Sequence, residues 1–215
     1  MKALVLLSGG LDSTVSLAWA RECHDVVAAV SFDYGAKHNE CELACARQTA
    51  SQTGIRHVEI PLRFIGEYFR SALLQGGGAI PHDDYDAENV KSTVVPFRNA
   101  IMLSVAVGLA ESLDANAVVI AAHGGDHALY PDCRPEFYEA FAAASRLGTD
   151  TKIEILRPFI AMDKAAIVAE GARLKVDFAN TWSCYEGGVR HCGKCATCRE
   201  RRQAFRDTGI ADPAS

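Results

Sequence analysis

The sequence predicts an α/β protein built on a doubly wound parallel sheet, with a small C-terminal segment organised by cysteines. Three observations predict it. The chain opens on a continuous apolar run, Lys2 to Leu7, of the kind buried on both faces of a parallel sheet. That run breaks at Gly9-Gly10 before a helical pattern beginning near Ser13, and strands then alternate with helices as β-α-β-α-β with right-handed crossovers. Near the C-terminus, Cys184, Cys192, Cys195 and Cys198 are separated by seven, two and two residues.

Composition sets the frame. A chain of 215 residues, 49% hydrophobic and 23% charged, can bury a proper core in one domain or one with a small appendage. A net charge of −5 gives no general attraction to nucleic acid or to an anionic membrane. The N-terminus passes straight into the first strand without a signal peptide, and no apolar run reads as long enough to span a bilayer, so a cytoplasmic protein is expected. In that reducing compartment, eight cysteines do not form a disulfide framework.

In order along the chain, Asp25 to Phe32 reads as a second strand ending in Asp33-Tyr34-Gly35. Asn39 to Ser51 is helical with Cys41 and Cys45 on an apolar stripe, Gly54 ends it, and His57 to Pro61 is a third strand. Cys23, Cys41, Cys45 and Cys133 read as small apolar fillers. A short helix, Arg63 to Leu74, gives way to glycines and an acidic stretch, so that 62–92 is either a mobile surface loop or a closing lid. Arg98 precedes an apolar helix, Ala100 to Leu113, with Asn99 as its N-cap. Arg98 is either a surface ion pair or a guanidinium fork for phosphate or carboxylate. Asn116 to Ala122 is another buried strand, followed by a loop containing His123, Asp126, His127 and Asp132; its two histidines suggest a metal less than they suggest a simple loop. Pro135 to Leu147 is a helix, Lys152 to Pro158 a strand, and Asp163 to Lys175 a capped helix. The final helix carries Arg199, Arg201, Arg202 and Arg206; a solvated face is its default reading, with a homodimer contact or weak anion site as alternatives.

Two stretches carry chemistry. In Ser8-Gly9-Gly10-Leu11-Asp12-Ser13-Thr14, two glycines between strand and helix let backbone approach a ligand closely, and the free N–H groups of the helix favour negative charge. Ser8, Ser13 and Thr14 add hydroxyls, and Asp12 inside such a phosphate cradle calls for a bridging magnesium ion or backbone N–H partners. No lysine of the G-x-x-x-x-G-K-[ST] kind is present, so this is not that loop. The four cysteines can close a tetrahedron around a structural zinc, with His191 a spare candidate. An iron–sulfur cluster competes, and the absence of the proline that follows a ferredoxin run favours zinc.

Taken together, the segments 8–14, Phe-Asp-Tyr-Gly (32–35), Val-Pro-Phe-Arg-Asn (95–99), Tyr-Pro-Asp-Cys-Arg (130–134), Asp-Lys (163–164) and the cysteine run 181–198 resemble the QueC family of the queuosine pathway, within the ATP pyrophosphatase superfamily. Two features vary from that pattern: Phe97 stands where many members have Gly, and Ala122-His123-Gly124-Gly125 replaces a more polar run. The resemblance implies an adenine nucleotide alpha hydrolase-like sheet, with a catalytic domain over 1–180 and a zinc segment over 181–215 packed on it. It implies an ATP-dependent ligase in which the carboxylate of 7-carboxy-7-deazaguanine attacks the α-phosphate of ATP, ammonium supplies nitrogen to form the amide, and a second ATP converts the amide to the nitrile. It also implies that Leu7, Ser8, Gly9, Gly10, Leu11, Asp12, Ser13, Thr14, Val15, Ser16 and Leu17 hold ATP and its Mg2+, bordered by Phe32 and Asp33. Asp12, Ser13 and Arg98 would be catalytic; Arg98, Asn99, Asp126 and Asp132 would face the substrate. Partners would then be small molecules, with neither nucleic acid nor membrane among them. A tRNA-thiolating relative would need a basic surface that this acidic chain lacks, and a non-catalytic nucleotide-binding module is the other alternative.

Overall fold

The computed structural model describes residues 1–82, 91–126 and 130–214, without the side chain of Asp126. The acidic stretch expected as loop or lid, 83–90, lies outside these residues, as do His127 and its two successors. Five parallel strands, β1 (Lys2–Leu6), β2 (Asp25–Asp33), β3 (His57–Pro61), β4 (Ala117–Val119) and β5 (Glu154–Leu156), form one sheet in the order β3-β2-β1-β4-β5. The expected doubly wound sheet is therefore present. Chain order runs outward from β1 through β2 to β3 and then resumes on the other side of β1 with β4. That reversal opens a crevice beyond the carboxyl ends of β1 and β4.

Both faces of the sheet are covered because β1 and β2 are apolar at successive positions. Ala3, Val5, Leu7 and Ala29 pack against Leu17 and Ala20 of α1 (Leu11–Cys23) and Ala46 and Ala50 of α2 (Asn39–Thr53). Leu4, Ala28 and Val30 meet the opposite layer, α4 (Arg98–Ser112) and α5 (Pro135–Gly148), through Leu103, Ala106, Ala110 and Tyr138. A short helix, α3 (Arg63–Tyr68), lies between these halves. A third cluster joins Leu11 and Val15 of α1 to Ile167 and Val168 of α6 (Lys164–Arg173) and to Ala204 and Phe205 of α7 (Ala196–Thr208).

Several boundaries differ from expectation, each for a local reason. Helix α1 starts at Leu11, since Gly10 in extended conformation already serves as its N-cap. Helix α3 stops at Tyr68, and the chain turns through Ser71 to Leu74, where Leu74 bridges Ala36. Arg98 and Asn99 open α4 instead of preceding it; the cap position is Phe97, in the left-handed region at φ 54°. Glycine is the residue that adopts such a φ without strain. The stretch Lys91–Ser112 reaches the length and apolarity of a bilayer span, which the sequence reading had excluded, but Ala100, Leu103, Ala106, Val107 and Ala110 bury that helix's inner face on the sheet. All eight cysteines are free thiols; Cys133 is buried, Cys41 and Cys45 are half-buried, and Cys23 is exposed and so fills nothing.

The final helix is not wholly solvated. Arg202 and Arg206 are exposed, whereas Arg201 is buried, its Nη2 donating at 2.9 Å to Oδ1 of Asp212 and at 3.0 Å to the Phe178 carbonyl, and its Nη1 at 2.7 Å to Thr181 Oγ1. Burial alone would raise the Asp212 carboxyl, but the bonds from Arg201 hold it below its usual range. Arg201→Met is expected to cost about 3–5 kcal/mol, because a buried carboxylate loses its partner, with urea unfolding at pH 7 as the measurement. The part due to Asp212 is present above its unfolded value and disappears in wild type as pH falls through the depressed folded one.

Candidate active site

A cavity of about 270 Å³ occupies the crevice. Its walls come from the loop after β1, the start of α2, the start of α4, the loop after β4 and the C-terminal segment. The loop after β1 is held close to its neighbours by glycine. A Cβ on Gly9, at φ 93°, would overlap the carbonyl oxygen of Glu42, while the Gly9 carbonyl accepts from Trp182 N at 3.0 Å. Gly10 N donates to Ser8 Oγ at 3.1 Å and Gly9 N to Ser13 Oγ at 3.2 Å, and the Ser8 and Ser13 hydroxyls lie 3.0 Å apart. The first intrahelical bond of α1 runs from Thr14 N to the Gly10 carbonyl at 3.1 Å, so the amides of Leu11, Asp12 and Ser13 are the orphan donors of a helix N-terminus.

Of the residues expected to hold ATP, Leu7, Ser8, Gly10, Leu11, Asp12, Ser13 and Phe32 line the cavity. Thr14 spends its hydroxyl on the Gly10 carbonyl at 2.9 Å, Val15 and Leu17 belong to the apolar core, and Ser16 is fully buried. Asp33 accepts from Gly35 N at 3.3 Å, shaping the turn. Asp12 anchors a charged cluster. Its Oδ2 receives Lys164 Nζ at 2.6 Å and lies 3.6 Å from Nε2 of the buried His123; Lys164 also reaches Glu200 Oε2 at 3.4 Å. Gly125 N donates to His123 Nδ1 at 3.1 Å, which leaves the ring proton on the nitrogen nearer Asp12. The other carboxylate oxygen, Asp12 Oδ1, is buried without a hydrogen-bond partner among the described residues. An anionic oxygen in that state beside a helix N-terminus fits a hard cation such as Mg2+ carried in on a phosphate tail.

A second cluster faces it. Arg98 Nη1 donates to Tyr34 Oη at 3.2 Å, Tyr34 Oη lies 3.4 Å from His38 Nε2, and His38 Nδ1 lies 3.3 Å from the Tyr185 carbonyl. Asn39 builds this corner by accepting from Tyr34 N at 2.9 Å and donating to the Phe32 carbonyl at 3.0 Å. Burial, reinforced by the Arg98 charge, pushes His38 down to about 4, so it is neutral. Burial likewise pushes Glu42, whose Oε2 is 3.8 Å from His38 Nε2, up to about 8 against the opposing pull of Arg98. Asn99 lines the cavity but its Nδ2 donates to the Asp132 carbonyl at 3.1 Å, and Asp132 Oδ2 accepts from Asn99 N at 2.9 Å, capping α4. Asp132 is thus occupied with the helix, and the Asp126 side chain lies outside the described residues.

The cysteines converge as their spacing requires. The four Sγ atoms of Cys184, Cys192, Cys195 and Cys198 all lie within 4.8 Å of one another, and the Cys192–Cys198 pair is 3.9 Å apart. Four sulfurs about 2.3 Å from one ion would be about 3.8 Å apart, so the cage fits a tetrahedral metal. Backbone N–H groups of Cys192, Lys194 and Cys195 donate to cage sulfurs at 3.2–3.4 Å, bonds that favour thiolates. Gly187, Gly188 and Gly193 turn the chain at positive φ. His191 is no fifth member: its Nε2 accepts from Ser183 N at 3.1 Å and its ring stacks on Trp182. Sequence reasoning gives no role to Glu42, Lys164 or Glu200, and only the Asp163-Lys164 motif carries a signal for one of them; His123 stands in the loop after β4, which leaves a strand's carboxyl end and so is expected to line the crevice, as it does.

A parallel sheet with a glycine-closed strand–helix loop at its switch point, and a carboxylate poised at that helix end, defines a doubly wound α/β protein with a phosphate cradle. Solved structures agree at the level of fold. A 4-thiouridine synthetase, in an RNA complex with bound ATP, matches with TM-score 0.54 and 16% identity over 97% of this chain and 51% of that one. The NMN synthetase of Francisella tularensis matches with TM-score 0.51 and 14% identity over 98% and 78%. Sequence is more specific. The family profile "Queuosine biosynthesis protein QueC" matches residues 2–209. A 7-cyano-7-deazaguanine synthase of Porphyromonas gingivalis is 52% identical over 211 residues, covering 98% of this chain and 95% of that protein. The enzyme of that name from Ruegeria pomeroyi is 48% identical over 217 residues, covering 99% and 93%. The chain belongs to the QueC family.

The raised Glu42 carboxyl has a measurable consequence. The folded state binds its proton more tightly than the unfolded chain does, so stability falls as pH rises from about 4.5 through about 8. Glu42→Gln is expected to match wild type near pH 5 and to exceed it above pH 8, compared by urea midpoints at the two pH values.

Proposed function

We propose that this chain is an ATP-dependent ligase that converts 7-carboxy-7-deazaguanine and ammonium into 7-cyano-7-deazaguanine, cleaving ATP to AMP and pyrophosphate. The observation that carries this reading is the pairing of a phosphate cradle containing a partnerless Asp12 oxygen with an arginine across the same cavity. The cradle amides and the Ser8 and Ser13 hydroxyls bind the pyrophosphate tail and stabilise charge as it departs. Lys164 neutralises Asp12 and the tail, and His123 keeps Asp12 oriented. Asp12 would hold magnesium, which when bound would supply Lewis-acid stabilisation of charge on the phosphate tail. Arg98, fixed by Tyr34, orients the carboxylate that attacks the α-phosphate; Ser13 and Asp12 act at the reacting end, with Phe32 and Asp33 toward the nucleotide and Asn99 toward the deazapurine.

Residues 1–180 form the catalytic body in this reading, and 181–215 a zinc segment packed on it. A four-thiolate set leaves no open position, so the ion is structural. The absence of a disulfide among the eight cysteines suits a reducing cytoplasm.

Purified protein mixed with ATP, Mg2+, ammonium and the carboxy-deazapurine is expected to yield AMP, pyrophosphate and the nitrile; ATP consumed only to ADP, or an untouched acid, overturns the assignment. Asp12→Ala is expected to abolish pyrophosphate release while leaving the circular dichroism spectrum unchanged. Cys195→Ser is expected to lose bound zinc and to melt well below wild type, since such ions contribute on the order of 10 kcal/mol; full zinc content by elemental analysis would show that Cys195 is no ligand.

A further inference from the structure

The proposed reaction needs a base that its cradle does not supply. At neutral pH ammonium is protonated and has no lone pair to attack an acyl-adenylate. Three carboxylates line the cavity among the described residues, Asp12, Glu42 and Glu200. Asp12 and Glu200 are both ion-paired with Lys164. The Glu42 carboxylate receives no hydrogen bond among the described residues, and the one basic group they place within 4 Å of it is His38, 3.8 Å away and held neutral. Its placement is specific. Oε1 lies 3.6 Å from where a Cβ would sit on Gly10, at the edge of the cradle, while the Glu42 backbone presses on Gly9. Tyr34, Trp182 and Tyr185 line the same cavity.

We propose that Glu42 is the general base that binds ammonium beside the cradle and delivers it as ammonia to the adenylated substrate. This rests on the ligase reading above. Ammonium gives one proton to a Glu42 carboxylate oxygen, and the freed lone pair forms the C–N bond to the acyl carbon. The bond from that carbon to the AMP oxygen breaks, its electron pair leaves with AMP, and the second nitrogen proton passes to the AMP phosphate or to water, leaving a neutral amide. Glu42 then returns its proton to solvent. The groups that set its proton affinity are Arg98 from α4, Tyr34 from the turn after β2, and His38, Cys41 and Cys45 on or beside its own helix. Removal from water pushes the carboxyl up to about 8, so the ionised form that accepts the proton is the minor one at pH 7 and grows as pH rises through about 8, and wild-type amide formation from ammonium is expected to rise with it.

The test separates the half-reactions. In Glu42→Gln, single-turnover release of pyrophosphate from ATP and the acid is expected to match wild type, while amide formation from ammonium at pH 7 falls by about 10²–10⁴-fold. Hydroxylamine, already neutral at pH 7, is expected to restore acyl transfer in the variant to the wild-type rate, measured as hydroxamate. A variant that also loses pyrophosphate release, that uses ammonium as well as wild type does, or that is equally slow with hydroxylamine overturns the role of Glu42. Wild type that releases no pyrophosphate from ATP and the acid overturns the ligase reading itself. Glu42→Asp, which keeps the carboxylate on a shorter stem, is expected to recover part of the ammonium rate; recovery absent while melting and pyrophosphate release stay normal counts against a carboxylate base.

Discussion

The close approach of two backbones at Gly9 is the constraint on which the rest of the molecule depends. Glycine at φ 93° lets the loop after β1 lie directly against the first turn of α2, and its carbonyl is then taken up by Trp182. Three parts of the chain distant in sequence thereby meet at one residue. The geometry also explains why α1 begins where it does: Gly10 is extended, and the amides of Leu11 to Ser13 are left without intrahelical partners at the sheet's switch point. The cradle is a consequence of covalent and steric facts before it is a binding site.

Electrostatics divides the cavity into two ends. At one, Asp12, Lys164, His123 and Glu200 form a cluster in which the lysine is shared by two carboxylates. At the other, Arg98 is half-buried with its guanidinium over the Tyr34 ring; burial works against its charge and its neighbours act the other way, so the guanidinium stays protonated. A fixed cation on a rigid hydrogen-bonded stem is suited to hold an anion in place without reorganising. Between the two ends, His38 and Glu42 are both driven toward their neutral forms by burial.

Much of this was readable from residues. Apolar runs placed β1 and β2, because strands buried on both faces advertise themselves, and His57–Pro61 was found to the residue although that edge strand is only half-buried. The cysteine spacing foretold the cage, since two-residue gaps bound how far sulfurs can be from one another. Other features were hidden for physical reasons. Lys164 sits at the start of α6 and meets Asp12 only because α6 packs on α1, a tertiary fact with no local pattern. Glu42 looks like any exposed acid in the first turn of a helix, and only the fold, which sets it against Gly9 and Gly10 in the cavity wall, leaves its side chain 18% exposed. Arg201 shares a sequence with three other arginines of the last helix, and only packing against Phe178, Thr181 and Asp212 marks it out. The start of α4 was misplaced because Asn99 is a good cap by type, whereas Asp132 from a distant turn does the capping.

The bond from Trp182 to Gly9 bears on how the protein is made. Strand β1 leaves the ribosome long before Trp182, so the loop that follows it cannot be completed until translation has run past Trp182 and Arg201. The emerging chain therefore carries an unfinished cradle for most of its synthesis, and a nucleotide can be gripped only once the tail has docked.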